Sequence, residues 1–116
     1  MLNTKIRHPS EFDAVFKRGS RFLGDCFALH YLKMERDYPR LGMVISKRNC
    51  RLAVHRNRMK RLIREHFRLN QQQLPGFDFV VLLKSSSEKM SDLELKRCVE
   101  KLFTELMARC SGSSSL

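Results

Sequence analysis

The sequence predicts a single α+β domain in which helices pack against a small mixed β-sheet. Three observations support this fold class. The chain has 116 residues, which suffices for one hydrophobic core. Apolar residues make up 42% of it, so an ordered core is expected and a disordered basic tail is excluded. The hydrophobic spacing changes along the chain in the order helix, strands, long helix, strand, helix.

The first helix is predicted at residues 10–18. Ser10 is a suitable N-cap, and acidic residues follow it in the first turn, where the helix dipole favours them. Three aromatic and aliphatic side chains share one face at i, i+3 and i+4 spacing: Phe12, Val15 and Phe16. Gly19 is expected to end this helix in the left-handed conformation that glycine adopts readily.

Extended segments follow the first helix. Alternating apolar and polar residues predict strands near 26–34 and 40–46, with a short strand before Gly24. Residues 77–83 are apolar on both faces toward their end and predict a central strand, which a serine-rich loop follows. If the strands flanking the long helix are parallel, the general rule predicts a right-handed crossover between them.

Two further helices are predicted. Residues 50–69 lack proline and glycine, with Asn49 as the best available N-cap, and they form an amphipathic helix. Residues 91–94 form a capping box that starts the last helix. The apolar positions of the two helices are Met59, Leu62, Ile63 and Phe67, then Leu95, Cys98, Val99, Leu102, Phe103 and Leu106. The domain is expected to cover residues 1–110, followed by a flexible tail at 111–116.

Positive charge is concentrated on the long helix and the segment before it. The chain has 23 lysines and arginines against 12 acidic residues, so its formal charge is +11, which favours a polyanionic partner. Residues 47–68 contain one acidic residue, Glu65, and these basic ones: Lys47, Arg48, Arg51, Arg56, Arg58, Lys60, Arg61, Arg64 and Arg68. Arginine predominates, and its planar guanidinium can bind two phosphate oxygens at once.

The helical spacing predicts one basic face opposite one apolar face. Arg56, Lys60, Arg64 and Arg68 recur at i, i+4 intervals, with Asn57 and Arg61 beside them. Stacked like charges destabilise an isolated helix, so a purely structural helix would alternate them with acidic residues. A solvated surface face is the alternative interpretation, but the single sign of the charge favours an RNA-binding surface. A DNA-binding helix is a further alternative, although no helix-turn-helix partner precedes it.

The sequence offers little support for chemistry by the protein itself. No pair of carboxylates shares a motif that would hold two cations, so neither catalytic residues nor a protein-bound metal are predicted. Asp78 is interpreted as an exposed edge or turn residue, and His55 and His66 as surface or helix-flank residues. The four cysteines lack zinc-site spacing and are expected to be reduced thiols. With neither a membrane span nor a secretory signal, the expected location is the cytoplasm.

Residues 46–65, which include Arg56-Asn57-Arg58, resemble the signature of the bacterial ribonuclease P protein subunit family. The resemblance extends to Phe12 and Phe16 in the first helix and to the strand at 78–81, and it covers nearly the whole chain. It implies a ribosomal-protein-like fold of α-β-β-β-α-β-α order. It also implies a left-handed βαβ crossover, contrary to the general rule, and we follow the family on this point.

The same resemblance implies a function. In this family the partner RNA is the catalyst, which uses Mg²⁺ to cut the 5′ leader from precursor tRNA, and the protein is its accessory subunit. The basic residues named above, together with Asn57, would bind the catalytic RNA. Phe12, Phe16 and His30 would line a cleft for the leader. The expected partners are therefore the catalytic RNA and precursor tRNA, without a membrane or DNA. The alternative is a ribosomal or RNA-chaperone protein that binds structured RNA.

Overall fold

The computed structural model describes residues 4–24, 26–48, 50–83 and 90–114, with side chains described as far as Arg109. It contains the predicted elements in the predicted order. They are α1 (Pro9–Arg18), β1 (Ser20–Leu23), β2 (Phe27–Lys33), β3 (Arg40–Val44), α2 (Ala53–Asn70), a 3₁₀ turn (Gln71–Gln73), β4 (Phe77–Leu83) and α3 (Asp92–Ser114). The α+β fold class is confirmed.

The four strands form one mixed sheet in the order β1-β2-β4-β3. The pairs β1–β2 and β2–β4 are antiparallel, whereas β3 and β4 are parallel and are joined through α2. Parallel neighbouring strands need such a crossover because the chain must return to the end of the sheet at which the first strand began, and a short turn cannot span that distance. The left-handedness of this βαβ crossover stays a prediction from the family resemblance.

The two faces of the sheet carry cores of different size. Side chains alternate along β4, so Phe79 and Val81 point into the large core under α2 and α3, and Val80 points toward α1. The smaller core consists of Ile6, Val15 and Val80, with Phe12 and other apolar side chains packed on it. The central position of β4 explains why this strand is apolar on both faces.

The ends of α1 differ from the prediction. The helix begins at Pro9 with His8 as N-cap, so Ser10 lies inside its first turn. Proline is suited to this first position because its missing N–H would have no partner there. Gly19 follows the helix in an extended conformation (φ −85°, ψ 173°), so the left-handed cap was wrong. Glycine is required here for space instead, because a Cβ would lie 2.4 Å from the Tyr31 carbonyl oxygen.

The start of α2 also differs from the prediction. The helix begins at Ala53, with Leu52 as its N-cap and without a side-chain capping bond. Asn49, the predicted cap, lies outside the described residues. Cys50 is fully buried, and its amide donates to the Ser46 carbonyl at 3.0 Å. This turn fixes the chain before the helix, which therefore starts three residues later than its composition suggests.

The helix α3 begins as predicted, and it ends later in the chain than predicted. The capping box is confirmed, since the Glu94 amide donates to Ser91 Oγ at 3.1 Å and the Ser91 amide to Glu94 Oε1 at 3.4 Å. The predicted apolar stripe faces the large core. The helical backbone continues to Ser114, past residue 111. The serine-rich loop at 84–89 lies outside the described residues.

Candidate nucleic-acid interface

The outward side of α2 is a continuous basic surface. Met59, Ile63 and Phe67 are buried and define the inward side of the helix. At 100° per residue, five polar positions occupy one arc of about 100°, which runs from Lys60, on the flank beside Phe67, to the outward side at Arg61. We call this arc the basic face: Asn57, Lys60, Arg61, Arg64 and Arg68. Within the described part of the chain, none of the four cations of the basic face forms an ion pair, so their charges are available to a ligand.

Two arginines that the sequence grouped with this surface have partners within the protein. Arg56 is half-buried, and its Nη1 donates to the carbonyl oxygens of Cys50 and Arg51 at 2.9 and 2.8 Å. Arg58 points toward α3, where its Nη1 lies 2.5 Å from Asp92 Oδ1. Arg56 therefore does not extend the predicted i, i+4 row of exposed cations, and Arg58 lies outside that row. Helical spacing gives the direction in which a side chain leaves the helix, but it does not reveal which neighbours the chain places beside it.

The segment leading into α2 extends the positive charge. Lys47 and Arg48 are exposed in the turn after β3, and Arg51 is exposed just before the helix. The two hydrogen bonds from Arg56 fix the backbone of this segment. We therefore assign Arg56 a positioning role for the loop, in addition to its positive charge.

A groove of about 450 Å³ connects the basic face with α1. Its walls come from the N-terminal segment, α1, β3 and α2. The side chains that bear on function are Phe12 on one wall and Lys60, Arg64 and Arg68 on the other. The structure thus brings together members of two predicted sets, one aromatic and one basic, that are 48 to 56 positions apart in the sequence.

Phe12 is seated on Gly42 at the floor of this groove. A Cβ at Gly42 would lie 2.7 and 2.8 Å from two ring atoms of Phe12, too close for the ring to remain in place. The ring also packs on the small core of Ile6, Val15 and Val80. The absence of a side chain at Gly42 of β3 therefore determines how deeply the Phe12 ring enters the groove.

The substitution Gly42→Ala is expected to displace the Phe12 ring and to lower stability by about 1–3 kcal/mol, the usual range for overpacking. The free energy of unfolding in urea measures the loss. Gly24→Ala is the matched control, because its nearest atom lies 3.1 Å away in a turn. An equal, small effect at both glycines would contradict the close seating of Phe12.

Phe16 and His30 form the second aromatic contact near α1. Their ring centroids are 4.8 Å apart and the planes meet at 86°, an edge-to-face arrangement. Phe16 is 38% exposed, so part of its ring is open to solvent. Burial, followed by the charge of Arg21, lowers the pKa of His30 below its ordinary value, so the imidazole is neutral at neutral pH. This pair therefore presents an uncharged aromatic surface, although neither ring lines the groove itself.

A polar network that no sequence pattern predicts ties α1 to the sheet. Asp78 on β4 is 2% exposed, which makes it the one buried charged residue among those described. Its carboxylate accepts hydrogen bonds from Arg40 Nε at 3.0 Å and Nη2 at 2.9 Å, and it also pairs with Arg36. Arg40 Nη2 reaches Glu11 Oε2 on α1 at 2.7 Å. The interpretation of Asp78 as an exposed edge residue was wrong, because both arginines come from elsewhere in the chain.

The charges of this network stabilise one another. The hydrogen bond from Arg40 lowers the pKa of Glu11, while the hydrogen bond to Asp78 raises that of Arg40 further above its ordinary value. Glu11 also accepts a hydrogen bond from the His8 amide at 3.3 Å, at the start of α1. The network therefore fixes the helix that carries Phe12 and Phe16 over the sheet.

The two histidines of α2 lie on the flanks of the helix. His66 stacks on Phe103 of α3 with centroids 5.8 Å apart, which agrees with a helix-flank role. His55 is half-buried near the start of α2. Within the described ranges, no group of three or more His, Cys, Asp or Glu side chains is placed to hold a metal ion.

Comparison with known proteins identifies the family. The family model described as Ribonuclease P matches residues 2–107, which is nearly the whole chain. The chain belongs to the ribonuclease P protein family. Two relatives named "Ribonuclease P protein component" are similar throughout. That of Coxiella burnetii is 42% identical over 97% of this chain and 93% of its own, and that of Nitrosococcus oceani is 41% identical over 94% and 92%.

Solved structures of ribonuclease P proteins share the fold. The protein from Staphylococcus aureus has a TM-score of 0.81 and 25% identity, and the match covers 90% of this chain and 96% of that one. The protein from Thermotoga maritima has a TM-score of 0.78 and 32% identity, with the same coverage. In the part of the chain that the structure describes, no helix is both long and apolar enough to cross a membrane.

Proposed function

We propose that this chain is the accessory protein subunit of a ribonuclease P. In this proposal it binds the catalytic RNA through the basic face and its flanking cations. It holds the 5′ leader of precursor tRNA near α1, and so assists the endonucleolytic cut that makes the mature 5′ end in the cytoplasm. The observation that supports it most is the groove in which Phe12 lies opposite Lys60, Arg64 and Arg68. That groove offers a path for a strand with bases on one side and phosphates on the other.

The basic face is suited to a folded RNA. Its cations stand on one rigid helix anchored by Met59, Ile63 and Phe67, so their spacing is fixed before the partner binds. Phosphate contacts of this kind supply affinity and orientation without reading sequence. Lys47, Arg48 and Arg51 enlarge the surface beyond the first turn of α2.

The aromatic residues near α1 are suited to a single strand. Unpaired bases stack on exposed aromatic rings, and this contact tolerates any base, as a leader of variable sequence requires. Phe16 has the necessary exposure, and His30 packs against it in an edge-to-face arrangement. Phe12 combines this role with packing against Gly42.

The protein would act by positioning, and the chemistry would belong to the RNA. Asp78 is the buried carboxylate of the described residues, and its oxygens are engaged by two arginines. That environment does not suit a divalent cation, which needs carboxylate oxygens free of competing cations. We therefore place Mg²⁺ mainly on the RNA partner. By neutralising phosphates and fixing the leader, the protein would raise the affinity for substrate and for Mg²⁺.

A processing assay at low Mg²⁺ tests this proposal. Precursor tRNA is incubated with the candidate catalytic RNA, with and without the protein. At low Mg²⁺ we expect cleavage at the mature 5′ end only when the protein is present. At higher Mg²⁺ we expect the catalytic RNA to cleave without the protein. Absence of rescue would support the alternative of a ribosomal or RNA-chaperone protein. Cleavage by the protein without RNA would contradict the division of labour.

Phe16→Ala is expected to weaken the binding of leader-bearing tRNA to the assembled complex about 5- to 150-fold, because stacking of one base contributes about 1–3 kcal/mol. Binding of mature tRNA should be nearly unchanged. The two dissociation constants, measured at one salt concentration, give the ratio. Leu69→Ala is the matched control, since Leu69 is 63% exposed and lies near the end of α2. Equal weakening with both tRNAs would rule out a leader contact and favour the RNA-chaperone alternative.

A further inference from the structure

Two cysteines from distant parts of the chain meet beside α3. Cys26 directly precedes β2 and Cys98 lies in α3, 72 positions later, yet their Sγ atoms are 2.7 Å apart. Both side chains are half-buried and pack on the large core. A disulfide bond places its sulfur atoms about 2.05 Å apart, so the present separation requires only a small movement to close.

We propose that Cys26 and Cys98 are a reversible disulfide-forming pair whose oxidant is a small disulfide of the glutathione class. This modification site is independent of RNA binding, because neither cysteine belongs to the basic face or lines the groove beside it. From the sequence, the four cysteines are expected to be reduced thiols. Nothing in the sequence indicates that positions 26 and 98 are neighbours.

Access to the two thiols comes from a cavity of about 150 Å³ that both of them line. Lys101, Arg109 and Glu105 line the same cavity, and the excess of positive over negative charge among them favours an anionic small disulfide. Cys50 differs from the pair, since it is fully buried and its Sγ has the carbonyl oxygen of Leu52 as a hydrogen-bond acceptor at 4.0 Å. Oxidation is therefore expected to spare Cys50.

The reaction is a thiol–disulfide exchange in two steps. The thiolate of one cysteine attacks a sulfur of the small disulfide, whose S–S bond breaks to release one small thiolate. The second cysteine then loses its proton to water and attacks the protein sulfur of this mixed disulfide, which releases the second small thiolate. The two protein thiols are oxidised to one disulfide, and the small disulfide is reduced to two thiols.

The bond would join α3 to the start of β2 and close a long loop. Closing such a loop restricts the unfolded chain more than the folded one, so the oxidised protein should be more stable. We expect its melting temperature to rise by about 10 °C relative to the reduced protein. The reductant dithiothreitol should reverse the rise.

The experiment equilibrates the full chain with mixtures of reduced and oxidised glutathione and identifies the products by peptide mapping. We expect one peptide pair linked through Cys26 and Cys98, with the loss of two hydrogen atoms from the protein mass. Cys26→Ser and Cys98→Ser should each abolish the link and the thermal shift. The double variant Cys50→Ala/Cys110→Ala should retain both, and mapping of the wild-type chain needs no variant to fold. A stable glutathione adduct, a link through Cys50 or Cys110, or a wild-type chain that stays reduced would overturn the proposal.

Discussion

Asp78→Asn is expected to lower the free energy of unfolding by about 3–5 kcal/mol, because it removes the buried charge of the network, which leaves Arg36 without a carboxylate partner and Arg40 with Glu11 alone. Arg36 and Arg40 would keep their charges in an environment where their side chains are only 16% and 14% exposed. Asparagine has the shape of aspartate, so the loss would report the charge and not a cavity. Urea unfolding followed by circular dichroism measures it.

Asp92→Asn is the matched control for this experiment. It makes the same chemical change and also removes an arginine partner, but the Arg58–Asp92 pair has side chains that are 43% and 74% exposed. Exposed pairs contribute about 0–1 kcal/mol, so the control variant should be close to wild type. Similar losses in the two variants would show that the Asp78 network does not hold α1 on the sheet.

The triple variant Arg61→Gln/Arg64→Gln/Arg68→Gln is expected to weaken binding to the catalytic RNA roughly 2,000-fold, taking about 1.5 kcal/mol for each charge-assisted phosphate contact. The slope of log affinity against log salt concentration should also become shallower by about 3, since each lost phosphate contact removes about one unit. Affinities measured at several salt concentrations, with the folded state checked by thermal melting, give both quantities.

The control for net charge is a second triple variant, Lys33→Gln/Lys96→Gln/Arg97→Gln. These three cations are exposed and lie on β2 and α3, away from the basic face. The variant loses the same charge, so it should retain most of the affinity and nearly the full salt slope. If both triple variants were weakened equally, RNA binding would depend on total charge and not on the basic face.

Substitutions of Arg56 and Arg58 have different structural consequences, which the sequence does not reveal. Removing Arg58 breaks an exposed ion pair, whereas removing Arg56 deletes two hydrogen bonds that fix the segment before α2. RNA affinity is expected to fall for both substitutions, as it is for Arg61→Ala. The structure adds that the effect of Arg56→Ala would combine lost charge with a loosened loop.

Local patterns were sufficient for most of the secondary structure. The capping box at Ser91 and Glu94 involves groups three residues apart, so its hydrogen bonds follow from the sequence alone. The apolar stripe of α3 is likewise a consequence of helical periodicity. Gly19 shows where this reasoning ends, because its role depends on the carbonyl oxygen of Tyr31 on a neighbouring strand.

The basic face, the order of the elements and the core positions were thus determined by the sequence itself, because charge and hydrophobic periodicity act between residues that are close along the chain. Tertiary structure alone decided that Asp78 is buried between arginines, that Phe12 rests on Gly42 and that Cys26 meets Cys98. Each of these contacts joins segments that are distant in sequence. Their distances depend on how strands and helices pack, which no local pattern records.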